Sequence, residues 1–241
     1  MTSRSTTPPA GGQRGPRLAD EPGKSQQDQS PGHPAPRTAR LLACGIVAGP
    51  MFLAVWAVQA WTRVGFDPTH HPVSLLSLGS AGWIQIANFI VTGTLFVACA
   101  VGMRRVLRSG RGSVWGPRLI GLVGLGLILA GVFVTDPGAG FPAGAPAGAP
   151  ELSWHGILHE VGYAMVMLAW SGACIVFGRR FVAMGERGLA GWCFGALVAV
   201  LVISAWPDLD SFTIRIVFAT AIQFGLIALL AARVDRVARP L

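Results

Sequence analysis

His155 and His159 stand four residues apart in the run Trp154-His155-Gly156-Ile157-Leu158-His159-Glu160. On a helix that spacing stacks two imidazoles on one face. Two imidazoles one turn apart can offer nitrogens to a single metal ion, as they do in zinc sites. The acid follows the second histidine and not the first, so the run is not the HExxH pattern of metalloproteases. A third ligand would come from Asp67, His70, His71, Asp208 or Asp210. Tyr163 continues the stripe, and Gly162 leaves space beside it. Three chemistries are open for the pair: a hydrogen-bond network, handling of a substrate or proton, or a metal site. No cofactor is predicted, although the spacing would admit zinc. Arg215 either snorkels outward or pairs with Glu160, Asp208 or Asp210. The candidate ligand-binding set is therefore Asp67, His71, His155, His159, Glu160 and Arg215.

These residues are carried on an unusually apolar chain. Of 241 residues, 52% are hydrophobic and 12% charged, with 32 Gly and 17 Pro. A soluble domain has about 25% charged residues. So little charge excludes an ordinary soluble enzyme, a disulfide scaffold and a disordered regulator. Six apolar stretches follow one another, at about 41–62, 83–103, 119–135, 154–177, 189–206 and 212–232. Each is close to the ~20 residues a helix needs to cross hydrocarbon. Period-two alternation is absent, which excludes a barrel. The expected fold is all-α: a polytopic membrane protein with a bundle of six transmembrane helices. The third and fifth spans are short and Gly-rich, and Pro50 is expected to kink the first. Residues 1–40 hold seven Pro and five Gly and almost no large apolar side chain. They read as a disordered cytoplasmic tail and not a signal peptide, because no apolar segment follows the early arginines. A short basic tail, 233–241, closes the chain.

Arginine sets the orientation. The connections 63–82, 136–153 and 207–211 contain only Arg63, with Arg215 just inside the sixth span. The other side holds Arg104, Arg105, Arg108, Arg111, Arg118, Arg179, Arg180 and Arg187, besides the arginines of both tails. The positive-inside rule then predicts cytoplasmic termini, and Trp61, Trp83, Trp154 and Trp206 fall at the outer boundary. The net charge of +8 is thus a topology signal with anionic lipid as partner, not a nucleic-acid surface. Beyond the first tail the acids and histidines show the opposite bias. Asp67, Asp136, Glu151, Glu160, Asp208 and Asp210 lie on the outer side, with His70, His71, His155 and His159. Loop acids in water need no explanation. His159 and Glu160, in the second turn of a span, do, because an ionisable group there usually faces the bundle interior or a wet cavity. Gln59, Gln85 and Asn88 are placed to close a polar network across the first two spans.

Cys44, Cys99, Cys174 and Cys193 lie in spans near the cytoplasmic end, without CxxC spacing, and read as small buried hydrophobes. Gly45/Gly49 and Gly191/Gly195 form two GxxxG patterns, both expected to pack helices within the chain. In the first outer loop, Pro72 and Gly79 suit the start and end of a short helix capping the bundle. The Pro/Gly-rich stretch 136–153 reads as an irregular loop folded over the bundle mouth or as a spacer. Ser74 and Ser77 near His70 and His71 also raise a Ser-His hydrolase arrangement, which only geometry can establish.

Several of these motifs together resemble a known family. They are His71-Pro72-x-Ser74-Leu75-Leu76-Ser77-Leu78-Gly79, Gly82-Trp83-Ile84-Gln85-x-x-Asn88-Phe89, Asp136-Pro137 with Gly140-Phe141-Pro142, and Ser153-Trp154-His155-Gly156 with His159. The combination is similar to the bacterial multi-pass family called domain of unknown function 998. The resemblance implies about six membrane helices over residues 41–232 and no assigned activity or catalytic residue. Abundant Ala, Gly and Arg with a single lysine, Lys24, suits a high-GC bacterial source. The expected location is the bacterial plasma membrane. The expected function is an outward-facing polar pocket that binds or moves a small or lipid-like ligand. Two alternatives stand beside it: a membrane-embedded metal-dependent hydrolase and a structural membrane scaffold.

Overall fold

The computed structural model describes residues 36–207 and 211–238. Most of the expected tail, and the candidate residues Asp208 and Asp210, lie outside the described residues. Six helices follow in order: α1 (Pro36–Thr62), α2 (Gly82–Val106), α3 (Trp115–Val132), α4 (Trp154–Ala183), α5 (Arg187–Ala205) and α6 (Phe212–Ala238). Each has a mean hydropathy between 1.6 and 2.2 over its most apolar 18 residues. Side chains such as Leu168, Val198 and Phe218 stand exposed on the outside of the bundle. Helices apolar all round, with their outer faces uncovered, are built for lipid.

The helices overrun the apolar stretches. α1 begins at Pro36, so residues 36–40 are helical and not tail, and α4 runs six residues beyond 177. Hydropathy marks the hydrocarbon slab, whereas a helix continues until its backbone is capped. In α4 the stop is Gly185 at φ +76°. Glu186 N–H donates to Phe181 O at 2.9 Å and Gly185 N–H to Val182 O at 3.1 Å. This is the paired closure that a left-handed glycine permits.

Every helix packs on its chain neighbour, α6 closes on α1, and α2 also touches α6 across the ring. The tightest seam is α2–α3–α4. A Cβ on Gly93 would lie 2.4 Å from Gly124 O, and one on Gly124 would lie 2.5 Å from Gly93 O. Gly126 and Gly162 face each other in the same way at 2.8 Å. Glycine lets these backbones touch, which accounts for the richness of the third span.

The two GxxxG patterns have different fates. Gly45 rests under Cys99 Sγ and Gly49 under Phe224, within the chain as expected. Gly191 and Gly195 have no atom within 4 Å of a would-be Cβ. They open on an apolar α5–α6 groove of about 760 Å³, because α5 is the most lightly packed helix. The expectation of packing within the chain fails there.

Among the described residues, one end of the ring carries the α1–α2 and α3–α4 connections with the histidines, Asp67, Asp136, Glu151 and Glu160; the other carries the arginines other than Arg63 and Arg215, with Glu186 and Asp235. At the arginine end Arg233 Nε donates to Glu186 Oε2 at 3.1 Å, with a second bond from Nη2 to Oε1, tying α6 to the start of α5.

Candidate functional site

The site is built on the α3–α4 junction. α3 ends at Val132 with Phe133 extended, which strands its last carbonyls. His159 turns Nδ1 to two of them, Ala130 O at 2.9 Å and Phe133 O at 3.0 Å. One turn earlier, His155 Nδ1 meets Val134 O at 3.0 Å. A carbonyl oxygen only accepts, so each ring carries its proton on Nδ1 and, when neutral, a lone pair on Nε2.

Asp136 closes the junction from the other side. It accepts Ser153 N–H on Oδ2 and Ser153 Oγ–H on Oδ1, both at 2.7 Å, while Ser153 Oγ accepts Gly156 N–H at 3.2 Å. The carboxylate therefore seats on the N-terminus of α4, where charge and helix dipole agree. Burial works to raise the Asp136 carboxyl, but the Ser153 hydroxyl and N–H, with His155 3.7 Å away, hold it below its ordinary value. A Cβ at position 156 would lie 1.9 Å from Oδ2, so this approach requires glycine.

Asp67 and His71 do a related task. Thr69 donates to Asp67 Oδ1 from its hydroxyl at 2.6 Å and its N–H at 2.8 Å, which keeps the exposed Asp67 carboxyl below its ordinary value. His71 accepts Asp67 N–H on Nδ1 at 2.8 Å and donates from Nε2 to Ala139 O at 3.0 Å. It thus holds the opposite tautomer to His155 and His159, and it ties the α1–α2 connection to the α3–α4 connection. Phe66 and Phe141 pack around its ring at centroid distances of 5.4 Å. Arg63 lies over Phe141 and donates to Leu78 O. Beneath sits the expected short helix, as a 3-10 turn, Val73–Ser77, with Leu75 and Leu76 buried. The stretch after Asp136 folds over the mouth: Ala139 N–H reaches Gly148 O and Gly140 N–H reaches Pro146 O.

Arg215 is placed on the end of α5. It donates from Nη1 to Ile203 O at 2.9 Å and Trp206 O at 2.6 Å, and from Nε to Ser211 Oγ at 3.1 Å. The polar network of the first two spans is present. Gln85 Oε1 accepts from Gln59 at 2.8 Å and from Asn88 at 3.2 Å, and Asn88 also reaches Phe52 O.

Between these anchors lies a cavity of about 570 Å³ at the histidine-and-acid end. Its depth is apolar, with Phe52, Phe89, Leu127, Val166 and Phe224, and its polar lining includes His70, Asp136, His159 and Glu160. Phe52 and Phe224 meet edge-on at 5.3 Å, and Phe89 stands edge-on to His159 at 6.1 Å. Of the six candidate residues, His159 and Glu160 line this cavity. Asp67, His71, His155 and Arg215 are instead directed at backbone groups around it. Asp136, Thr220 and Gln223 line it as well and were not in the candidate set. Gln223 was detectable as a lone amide in an apolar span. Asp136 gave no such signal, because as a loop acid it looks solvated. Among the described residues no three His, Cys, Asp or Glu side chains converge on a common point.

A closed ring of six helices, each long and apolar enough to cross a membrane, defines a multi-pass membrane protein. The family described as protein of unknown function (DUF998) matches residues 46–234, and the chain belongs to that family. No curated protein and no solved structure matches it. The motifs that carried the resemblance include His71, Gln85, Asn88, Asp136, Ser153, His155, Gly156 and His159. In this chain they are the residues that cap helix ends and tie the connections around the cavity.

Proposed function

We propose that this protein lies in a bacterial plasma membrane with both termini in the cytoplasm, and that its cavity binds or moves a small amphipathic or lipid-like ligand from the outer side. The arginine bias supports the orientation, as do Trp61, Trp83, Trp154 and Trp206, all exposed at the histidine-and-acid end. One observation carries the function: an apolar cavity of about 570 Å³ with an ionisable lining, which suits a ligand of apolar body and polar head. Thr220 lines the cavity from α6, and Thr220→Trp would fill it. Solvent extracts of the purified wild type should contain an amphiphile, read by mass spectrometry, that is missing from Thr220→Trp of equal melting temperature. The same amphiphiles at the same amounts in both proteins would defeat the reading.

The scaffold reading has its own support, since five of the six candidate residues, all but Glu160, bond to backbone groups. It predicts that Thr220→Trp changes nothing beyond stability. The hydrolase reading needs a metal; Nδ1–H on a carbonyl leaves each Nε2 lone pair available as a ligand, but among the described residues no third His, Cys, Asp or Glu side chain joins the pair. Elemental analysis of wild type should accordingly find zinc well below one per chain. Stoichiometric zinc, lost in a folded His155→Ala/His159→Ala variant, would put the hydrolase first.

A further inference from the structure

We infer that the cavity selects an amphipathic amine: an apolar body carrying a protonated, N–H-bearing head. This rests on the proposal that the cavity binds a ligand, and adds the sign of the head group. The ionisable groups facing the cavity are His70, Asp136, His159, Glu160 and the phenol of Tyr163, with no arginine or lysine among its lining. The two arginines at this end are directed elsewhere, Arg63 to Leu78 O and the Phe141 ring, and Arg215 to the carbonyls ending α5. An anionic head would thus meet two carboxylates and no guanidinium.

Glu160 is a carboxylate with no hydrogen bond or ion pair among the described residues. It is an exposed residue on the same helix face as Tyr163. His159 supplies the second, independent feature. The residue is only 4% exposed, and it lines the cavity. With its Nδ1 proton held by Ala130 O and Phe133 O, the neutral ring has only an acceptor left, Nε2, and no described residue donates to it. A carboxylate and an imidazole lone pair, adjacent in sequence and lining one cavity, match a head that brings positive charge and N–H donors together. Such a head would meet the carboxylate of Glu160, which is exposed, and the imidazole of buried His159. Phe52, Phe89 and Phe224 form the surface on which the apolar body would lie.

The test uses the full chain in dodecyl maltoside and three probes that differ only in the head: 12-(dansylamino)dodecylamine, the corresponding alcohol and the corresponding carboxylate. Wild type should bind the amine saturably, at least about tenfold tighter than the alcohol, with the carboxylate weakest. Glu160→Gln should erase most of that preference, and Thr220→Trp should abolish saturable binding of all three. Glu160 makes no bond that the fold depends on, so its variant is expected to melt with wild type. Equal binding of the three probes, or preference for the carboxylate, would overturn the amine assignment while leaving the cavity as a binding site. No saturable binding of any probe would overturn the cavity reading itself. Displacement of the amine probe by phosphatidylethanolamine would give the amine a lipid source, and displacement only by free dodecylamine a soluble one.

Discussion

Gly124→Ala should destabilise the bundle by about 2–3 kcal/mol, and Gly124→Leu should prevent a stable α2–α3 pair from forming. The added methyl would sit 2.5 Å from Gly93 O, which is backbone and cannot rotate away. Relief requires α2 and α3 to separate along their length. Gly93→Ala meets the same limit from the other side, at 2.4 Å from Gly124 O. Gly195→Ala is the matched control, since nothing lies within 4 Å of its Cβ position. There the substitution should be neutral or stabilising by up to about 1 kcal/mol, from helix propensity alone. Thermal unfolding in detergent, followed by circular dichroism, measures all four variants. Equal losses at positions 124 and 195 would contradict the seam.

The second large effect is expected at the start of α4. Asp136→Ala removes two charge-assisted hydrogen bonds and leaves the Ser153 donors and the α4 N-terminus without their carboxylate, a loss of about 3 kcal/mol. Gly156→Ala should cost a comparable amount by a different route, because its methyl would occupy a point 1.9 Å from Asp136 Oδ2 and expel the carboxylate. The two variants act on one contact, so the double variant should cost much less than the sum. Additive losses would show that the two residues act separately.

Acid provides a further check on the same contact. The Asp136 carboxyl lies below its ordinary value of 3.8 in the folded protein. A depressed folded value contributes stability that is complete above 3.8 and is lost as pH falls through the lower folded value. Wild type should therefore lose stability relative to Asp136→Asn below about pH 4. A constant difference between them from pH 7 to pH 3 would remove Asp136 from the acid response.

The fold was legible because a membrane span is a one-dimensional signal. About twenty apolar residues announce a helix whatever surrounds them, and all six appeared where expected, with ends displaced by a few residues. The placement of His155 and His159 on one face was equally legible, since it depends only on helical pitch. Their partners were not. Ala130 O, Phe133 O and Val134 O are backbone carbonyls, and a carbonyl carries no residue identity that a pattern could detect. The same holds for Arg215 on the end of α5 and for His71 on Ala139 O. Every polar side chain read as a site candidate except Glu160 had a structural use for its charge or proton, and only the neighbouring backbone decides between them.

Gly45/Gly49 and Gly191/Gly195 make the point with identical motifs. One pair is filled by Cys99 and Phe224, and the other opens on a groove. Composition, span number and the segregation of arginine from acids and histidines were properties of the sequence alone, because they follow from transfer of each segment between water and hydrocarbon. Which carboxylate is spent on a helix end, as Asp136 is, and which is left facing a cavity, as Glu160 is, was decided by tertiary structure. It depends on where two helix ends meet in space, and residues 136 and 160 find different neighbours there although both began as acids at one end of the bundle.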